Sequence, residues 1–252
     1  MRAAVYHGAG DLRIEEVPEP SPSADEALVR VVRSGMCGTD ATEWRSGPIA
    51  FPVHHRHPAS GHQGPLVIGH EFVGEVVQAD AAGTLPVGTR VASGAGVWCG
   101  ACDRCREGRT NICRRYYTLG LNAPGGMAEL VAVPVRALTP LPDDIGWDAA
   151  GLAQPTAVGL HAARRAGVRD GDRVLLIGTG AIGSFVLAAL PSLARTEITA
   201  VDLPGARLER AGRLGASRLL ATDLDDKRVL EEIGGPADVV IEASGAPGQL
   251  DR

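Results

Sequence analysis

Four cysteines, Cys99, Cys102, Cys105 and Cys113, fall within one fifteen-residue stretch, and this spacing constrains the chain more than any other feature. Two residues separate each of the first three, which lets the backbone curl around a single ion, and Gly100 and Gly108 supply the tight turns. Four thiolates make a closed tetrahedral cage, which suits Zn²⁺ because it accepts sulfur in four positions at about 2.3 Å and has no redox states of its own. Disulfides are the competing reading. Three cysteines spaced by two residues cannot readily pair among themselves, and nothing in the chain indicates secretion. The stretch from about 97 to 115 is therefore read as a structural zinc lobe.

The fifth cysteine, Cys37, stands alone in Ser34-Gly35-Met36-Cys37-Gly38-Thr39-Asp40. By itself it could be a small core residue or a ligand. Gly69-His70-Glu71 changes the balance, because a thiol, an imidazole and a carboxylate in one small domain are the ingredients of an open, catalytic zinc site.

The second half carries a different signal. Arg173-Val174-Leu175-Leu176-Ile177 reads as a buried parallel strand, Gly178-Thr179-Gly180-Ala181-Ile182-Gly183 follows at once, and an apolar helix from Ala181 to Leu190 stops at Pro191. In this context Gly178 allows the sharp turn, Gly180 lets backbone approach a pyrophosphate, and Gly183 lets helix pack on strand, while the helix N-terminus at Ala181 and Ile182 faces the anion. The next strand, Glu197 to Asp202, ends in a carboxylate nineteen positions after Gly183. A carboxylate there accepts hydrogen bonds from the adenosine ribose and repels a 2′-phosphate, which favours NAD over NADP. Arg207 partly offsets that repulsion.

Taken in chain order, Cys37-Gly38-Thr39-Asp40, Gly69-His70-Glu71, the four-cysteine set and the Gly178–Gly183 turn resemble the zinc-containing medium-chain alcohol and polyol dehydrogenases. The resemblance covers essentially all 252 residues. It implies an α/β chain: a GroES-like β-barrel catalytic domain over 1–150, then a Rossmann dinucleotide-binding domain over 151–252. Two zincs per chain are implied, one in the cysteine lobe and one catalytic. The catalytic ion would be held by Cys37 and His70 and completed by Glu71 or Gln154. Thr39 resembles the hydroxyl that takes the substrate proton, Asp40 the carboxylate that orients the histidine ligand, and Arg207 a basic residue that helps hold the ribose.

Two positions depart from the family pattern. The third ligand is usually a cysteine or carboxylate before a proline, whereas this chain has Gln154-Pro155. Some sugar dehydrogenases of the family carry Gln there, which tilts the expected substrate toward a polyol or sugar. Thr42 stands where the family often has a proton-relaying histidine. The expected reaction is hydride transfer between a nicotinamide and a secondary alcohol, polyol or sugar. The competing reading is a non-catalytic, zinc-stabilised dinucleotide-binding protein or a truncated dehydrogenase fragment.

Several classes are excluded or left as simple expectations. A net charge of -5 argues against nucleic acid, so Arg104, Arg106, Arg109, Arg114 and Arg115 read as a solvated lobe surface. No apolar run has the length of a bilayer span and the N-terminus lacks a signal-peptide core, so neither a membrane nor export is expected, and a reducing cytoplasm is. The family commonly associates through the nucleotide domain, so a homo-oligomer is compatible with the chain. His54, His55, His57 and His62 could bind a further metal, but Pro48, Pro52, Pro58 and Pro65 favour a solvated loop that covers the substrate cleft.

The pattern further predicts strands at Ala27–Arg33, Phe72–Val77 and Met127–Val133, one helix from Trp147 to Gly167 with His161 on its face or in its core, and a helix from Ala206 to Leu214. Strands follow at Arg218–Ala221 and Asp238–Glu242, with a further helix due at 249–252. Four strands where a full dinucleotide fold needs six lead to the expectation of a truncated chain or an incomplete record.

Overall fold

A computed structural model describes residues 1–221 and 226–246. The chain separates into two compact units, Met1–Gln154 and the remainder from Pro155 onward. The helix expected at 249–252 lies outside the described residues.

The first unit is built from short strands: β1 (Arg2–Gly8), β2 (Asp11–Glu16) and β3 (Glu26–Gly35), then helix α1 (Gly38–Ser46), then β4 (Leu66–Val67), β5 (Glu71–Gln78), β6 (Arg90–Ser93) and β7 (Gly96–Val97). Helix α2 (Asp103–Arg106) lies in the cysteine lobe, and β8 (Tyr117–Thr118), β9 (Leu130–Pro134) and β10 (Leu138–Pro140) complete the strands. They form an antiparallel sheet in the order β10-β6-β5-β3-β9 and a smaller one in the order β2-β1-β4. An isolated bridge between Ala3 and Ala128 joins β1 to the segment before β9. Alternating inward residues of the larger sheet, among them Val29, Phe72, Val76, Val91, Val131 and Val133, make the main core. Two antiparallel sheets linked by this bridge are the barrel-like arrangement of the GroES-like fold expected for the first domain.

The second unit has the alternation of a doubly wound fold. Helix α3 (Trp147–Ala150) precedes the division and α4 (Ala153–Ala166) crosses it. Then come β11 (Arg173–Ile177), α5 (Ala181–Ala189), β12 (Glu197–Asp202), α6 (Ala206–Arg213), β13 (Arg218–Ala221), α7 (Asp226–Glu232) and β14 (Val239–Glu242). The four strands are parallel in the order β13-β12-β11-β14, so the chain reverses direction across the sheet at β11. Val174, Leu176, Val186, Leu187, Ile198 and Ala200 form its core. No helix among the described residues is long and apolar enough to cross a membrane.

The helix expected over Trp147–Gly167 is two helices. Pro155 has no N–H to give Gly151, and its ring clashes with the preceding turn, so a continuous helix would be broken there. Instead α3 closes with the Gly151 and Leu152 amides donating to Trp147 and Ala149. Helix α4 restarts at Ala153, which puts Pro155 in a first turn where no intrahelical donor is needed. The stripe of α4 that is buried is Pro155, Gly159 and Ala163, and His161 is exposed. Gly159 is fixed by packing on α5: a Cβ there would lie 2.5 Å from the Cβ of Phe185.

Candidate functional site

Two strand ends and one helix start bring Cys37, His70 and Glu71 together. Strand β3 ends at Gly35, and Cys37 caps α1 with extended backbone. Asp40, three residues on, accepts the Cys37 amide proton at 2.9 Å and so closes the first turn. Glu71 begins β5, the strand paired with β3, and His70 stands just before it. They are aimed by Gly69, whose φ of +97° is open to few other residues, and whose Cβ would lie 2.7 Å from the Met127 amide nitrogen. The amides of Gly125, Gly126 and Met127 donate to the carbonyls of Val67, Gly69 and Ile68 at 2.8–2.9 Å and pin this segment.

The ligand atoms of Cys37, His70 and Glu71 all lie within 4.8 Å of one another. His70 and Glu71 are buried and Cys37 is half-buried. His70 beside Cys37 is the main influence holding the thiol below its ordinary pKa, helped by the Thr39 amide and hydroxyl and opposed by burial. Burial disfavours the charged form of His70, but Cys37, Asp40 and Glu71 outweigh it and raise the ring's pKa. Asp40 is pushed up, chiefly by burial. Its Oδ1 lies 3.8 Å from Nδ1 of His70, and both atoms are buried without a hydrogen-bond partner. Thr39 is exposed, with its hydroxyl oxygen 3.7 Å from Cys37 Sγ. The Thr42 hydroxyl donates to the Gly38 carbonyl at 3.0 Å within its own helix. Gln154 sits in the first turn of α4.

Glu43 is a residue that the sequence reading missed. It is buried at 2% exposure, and its two carboxylate oxygens accept the amides of Ile49 and Ala50 at 2.8 and 2.6 Å. It thereby ties down the segment after α1. A glutamate in a helix of mixed polarity carries no signal that distinguishes it from a solvated one.

The cysteine lobe is a second cluster. Its sulfur pairs are separated by 3.6 Å (Cys102–Cys105), 3.5 Å (Cys99–Cys113), 3.9 Å (Cys102–Cys113) and 4.0 Å (Cys99–Cys105). A disulfide needs about 2.05 Å, whereas sulfurs at tetrahedral corners about 2.3 Å from one ion are about 3.8 Å apart. Backbone amides of Cys99, Ala101 and Arg115 donate to these sulfurs at 3.3–3.5 Å. The amides of Arg114 and Cys105 bring Cys102 down to about 6, while burial and the neighbouring thiols push Cys105 up to about 12. Sulfurs this close do not all ionise unaided, so the donor set fits a cation at its centre. Gly100 and Gly108 have the positive φ that the turns require, +72° and +75°.

The four loop histidines do not converge. Among the described residues only the two groups above bring three or more His, Cys, Asp or Glu side chains to ligand distance. The loop is held by hydrogen bonds instead: the Ser60 hydroxyl donates to the distant Asn122 carbonyl at 2.5 Å, and the Ser60 amide donates to Nδ1 of His57 at 3.2 Å.

In the second unit the glycine turn has the shape its spacing implies. Gly178 has φ of +88°, and a Cβ there would strike the Ser244 amide nitrogen at 2.4 Å. A Cβ on Gly183 would strike the Gly178 carbonyl oxygen, whereas the side of Gly180 where a Cβ would stand is open to 4 Å. Helix α5 begins at Ala181 and Ile182 behind it. Asp202 closes β12 at 8% exposure. Burial works against its charge, but the Thr179 hydroxyl and amide, the Leu203 amide and Arg207 hold its pKa below the ordinary carboxylate value. Arg207 itself is exposed. Arg210, also missed in the sequence, donates to the Ser184 hydroxyl at 3.1 Å and the Thr179 carbonyl at 3.0 Å, which fixes the turn from α6.

Residues 23–143 match the alcohol dehydrogenase GroES-like domain. The chain is 35% identical over 251 residues to (R,R)-butanediol dehydrogenase of Bacillus subtilis, covering 98% of this chain and 71% of that one. It is 31% identical over 257 residues to the sorbitol dehydrogenase of the same organism, covering 99% and 70%. The crystal structure of 2R,3R-butanediol dehydrogenase from B. subtilis superposes with a TM-score of 0.87 at 34% identity, covering 98% of this chain and 71% of that one. An alcohol dehydrogenase from Thermus sp. ATN1 does so with a TM-score of 0.87 at 30% identity, covering 100% and 72%. With the barrel, the parallel sheet, the cysteine lobe and these relatives in agreement, the chain belongs to the zinc-type medium-chain alcohol and polyol dehydrogenases.

Proposed function

We propose that the chain is a zinc-dependent, NAD-linked dehydrogenase that interconverts a secondary alcohol, polyol or sugar and its carbonyl product. The observation that carries this reading is the convergence of Cys37, His70 and Glu71 to within 4.8 Å, in a chain whose relatives include butanediol and sorbitol dehydrogenases.

Cys37, His70 and Glu71 would hold the catalytic zinc, and Cys99, Cys102, Cys105 and Cys113 the structural one. Glu71 restores the negative charge that the neutral Gln154 lacks, which makes it the preferred third ligand, although Gln154 keeps its place as an alternative donor. Zinc supplies Lewis-acid charge that makes a substrate hydroxyl more acidic, and NAD accepts the hydride.

The remaining steps fall to the chain's own residues. Thr39, exposed beside Cys37, relays the substrate proton, its hydroxyl oxygen taking that proton as its own O–H proton passes on. Thr42 cannot act as a base near neutral pH, and its hydroxyl is engaged with Gly38, so the proton leaves through water or the cofactor ribose. Asp40 faces His70 with an unsatisfied oxygen and orients the ring. On the nucleotide side, Gly178, Gly180 and Gly183 shape the turn for a pyrophosphate, and Ala181 and Ile182 present the helix N-terminus to it. The ionised Asp202 takes the ribose hydroxyls, assisted by Arg207, and excludes a 2′-phosphate.

The test is NAD⁺ reduction with a panel of 2,3-butanediol stereoisomers, sorbitol, xylitol and simple secondary alcohols. The expected result is turnover with at least one member, falling by about a hundredfold or more in Cys37→Ala as several kcal/mol of charge stabilisation are lost. A rate unchanged in Cys37→Ala, or a zinc-replete chain that binds NADH yet turns over no member of the panel, would contradict it.

A further inference from the structure

Gly35 ends β3 directly opposite Glu71, its register partner at the start of β5. Side chains directly opposite each other across an antiparallel pair project on the same face. Glu71 uses the room that Gly35 leaves: a Cβ on Gly35 would lie 2.6 Å from Glu71 Oε2, 3.3 Å from its Cβ and 3.7 Å from its Cδ. The carboxylate is thus folded across the bare face of the glycine. The backbone of Gly35 is not left-handed, so the position requires glycine for space and not for conformation.

We propose that Gly35 is a positioning residue for the Cys37–His70 metal centre: its missing side chain is the seat that lets the Glu71 carboxylate bend back to within 4.8 Å of the Cys37 and His70 donor atoms. The proposal rests on the metal-site reading above.

Neighbouring glycines differ in what they touch. A Cβ on Gly69 would meet the Met127 amide nitrogen, and one on Gly126 the ring of Phe72, both fixed parts of the barrel. At Gly35 the closest atom is the free end of a flexible side chain. An added methyl is therefore accommodated by turning the Glu71 carboxylate to another rotamer, with the Glu71 Cβ giving way by a few tenths of an ångström, at the expense of the carboxylate's approach to the metal site. The fold is expected to survive Gly35→Ala while the ligand geometry does not.

The experiment is zinc affinity of the Cys37 site in the full chain, measured by competition with a chelator, for wild type, Gly35→Ala, Glu71→Ala and the double variant. Cys37→Ser marks the contribution of the cysteine lobe. Thermal unfolding of each variant serves as the control for folding. Gly35→Ala is expected to weaken the site by roughly 10- to 100-fold, as loss of an orienting contact does at other metal sites, with an unfolding midpoint near that of wild type. In the Glu71→Ala background the same substitution is expected to add nothing, because the group it displaces is gone. Wild-type affinity in Gly35→Ala, or losses that add in the double variant, would overturn the proposal. If Glu71→Ala binds zinc as wild type does, Gly35 does not act through Glu71, and the Cys37–His70 site stands without it. If Cys37→Ser removes no zinc, the metal-site reading fails and the proposal fails with it.

Discussion

The carboxylate of Asp202 binds both donors of one residue: its Oδ2 accepts the Thr179 amide proton at 2.6 Å and the Thr179 hydroxyl at 2.8 Å. These bonds, with that of the Leu203 amide and the charge of Arg207, outweigh burial and depress its pKa. A carboxylate with a depressed folded pKa contributes stability that is present above its unfolded value, near about 3.9, and is lost as pH falls through the folded value. Asp202→Asn is therefore expected to lower the unfolding midpoint at about pH 6, with the gap to wild type closing toward about pH 3. A gap that stays constant over this range, followed by thermal unfolding, would contradict the account.

In the function proposed above, the same carboxylate would set cofactor choice. Replacing Asp202 by alanine removes ribose hydrogen bonds to a charged acceptor, each worth about 1.5–3 kcal/mol, so NADH affinity is expected to fall by roughly ten- to a hundredfold. NADPH affinity is expected to hold or rise, because the repulsion of its 2′-phosphate is removed and the exposed Arg207 remains. Fluorescence titration of both cofactors checks this, and an equal loss for the two would assign Asp202 a purely structural role.

The third zinc ligand can be assigned by ranking two variants. Glu71→Ala is expected to lower zinc affinity more than Gln154→Ala, because Glu71 brings the negative charge and already lies beside Cys37 and His70. Chelator competition gives the order, and the reverse ranking would assign the position to Gln154.

What could be read in the sequence, and what could not, follows from the range of each interaction. The cysteine cage and the glycine turn are legible because one backbone segment builds each: Gly178, Gly180 and Gly183 take their roles from a strand before and a helix after. Cys37, His70 and Glu71 were legible as ingredients only, since β3 and β5 must pair before they meet. The break between α3 and α4 was signalled by Pro155, whose missing donor forbids a continuous helix, but the apolar spacing across it masked the signal. Gly35, Glu43 and Arg210 were not legible. Each touches a group outside its own element: Gly35 lies against Glu71 across a strand pair, Glu43 bonds Ile49 and Ala50 beyond the end of its helix, and Arg210 reaches back to Thr179 and Ser184. Nothing in local pattern distinguishes such a residue from its neighbours.

The central claim is that one chain builds two zinc sites, one closed and one catalytic. Zinc per chain, by elemental analysis of protein purified without added metal, tests it most directly. The expected result is about two zincs in wild type, falling to about one in Cys37→Ser and leaving the four-cysteine lobe filled. About one zinc in wild type, retained in Cys37→Ser and lost in Cys102→Ser, would show that only the lobe binds metal and would contradict the catalytic site.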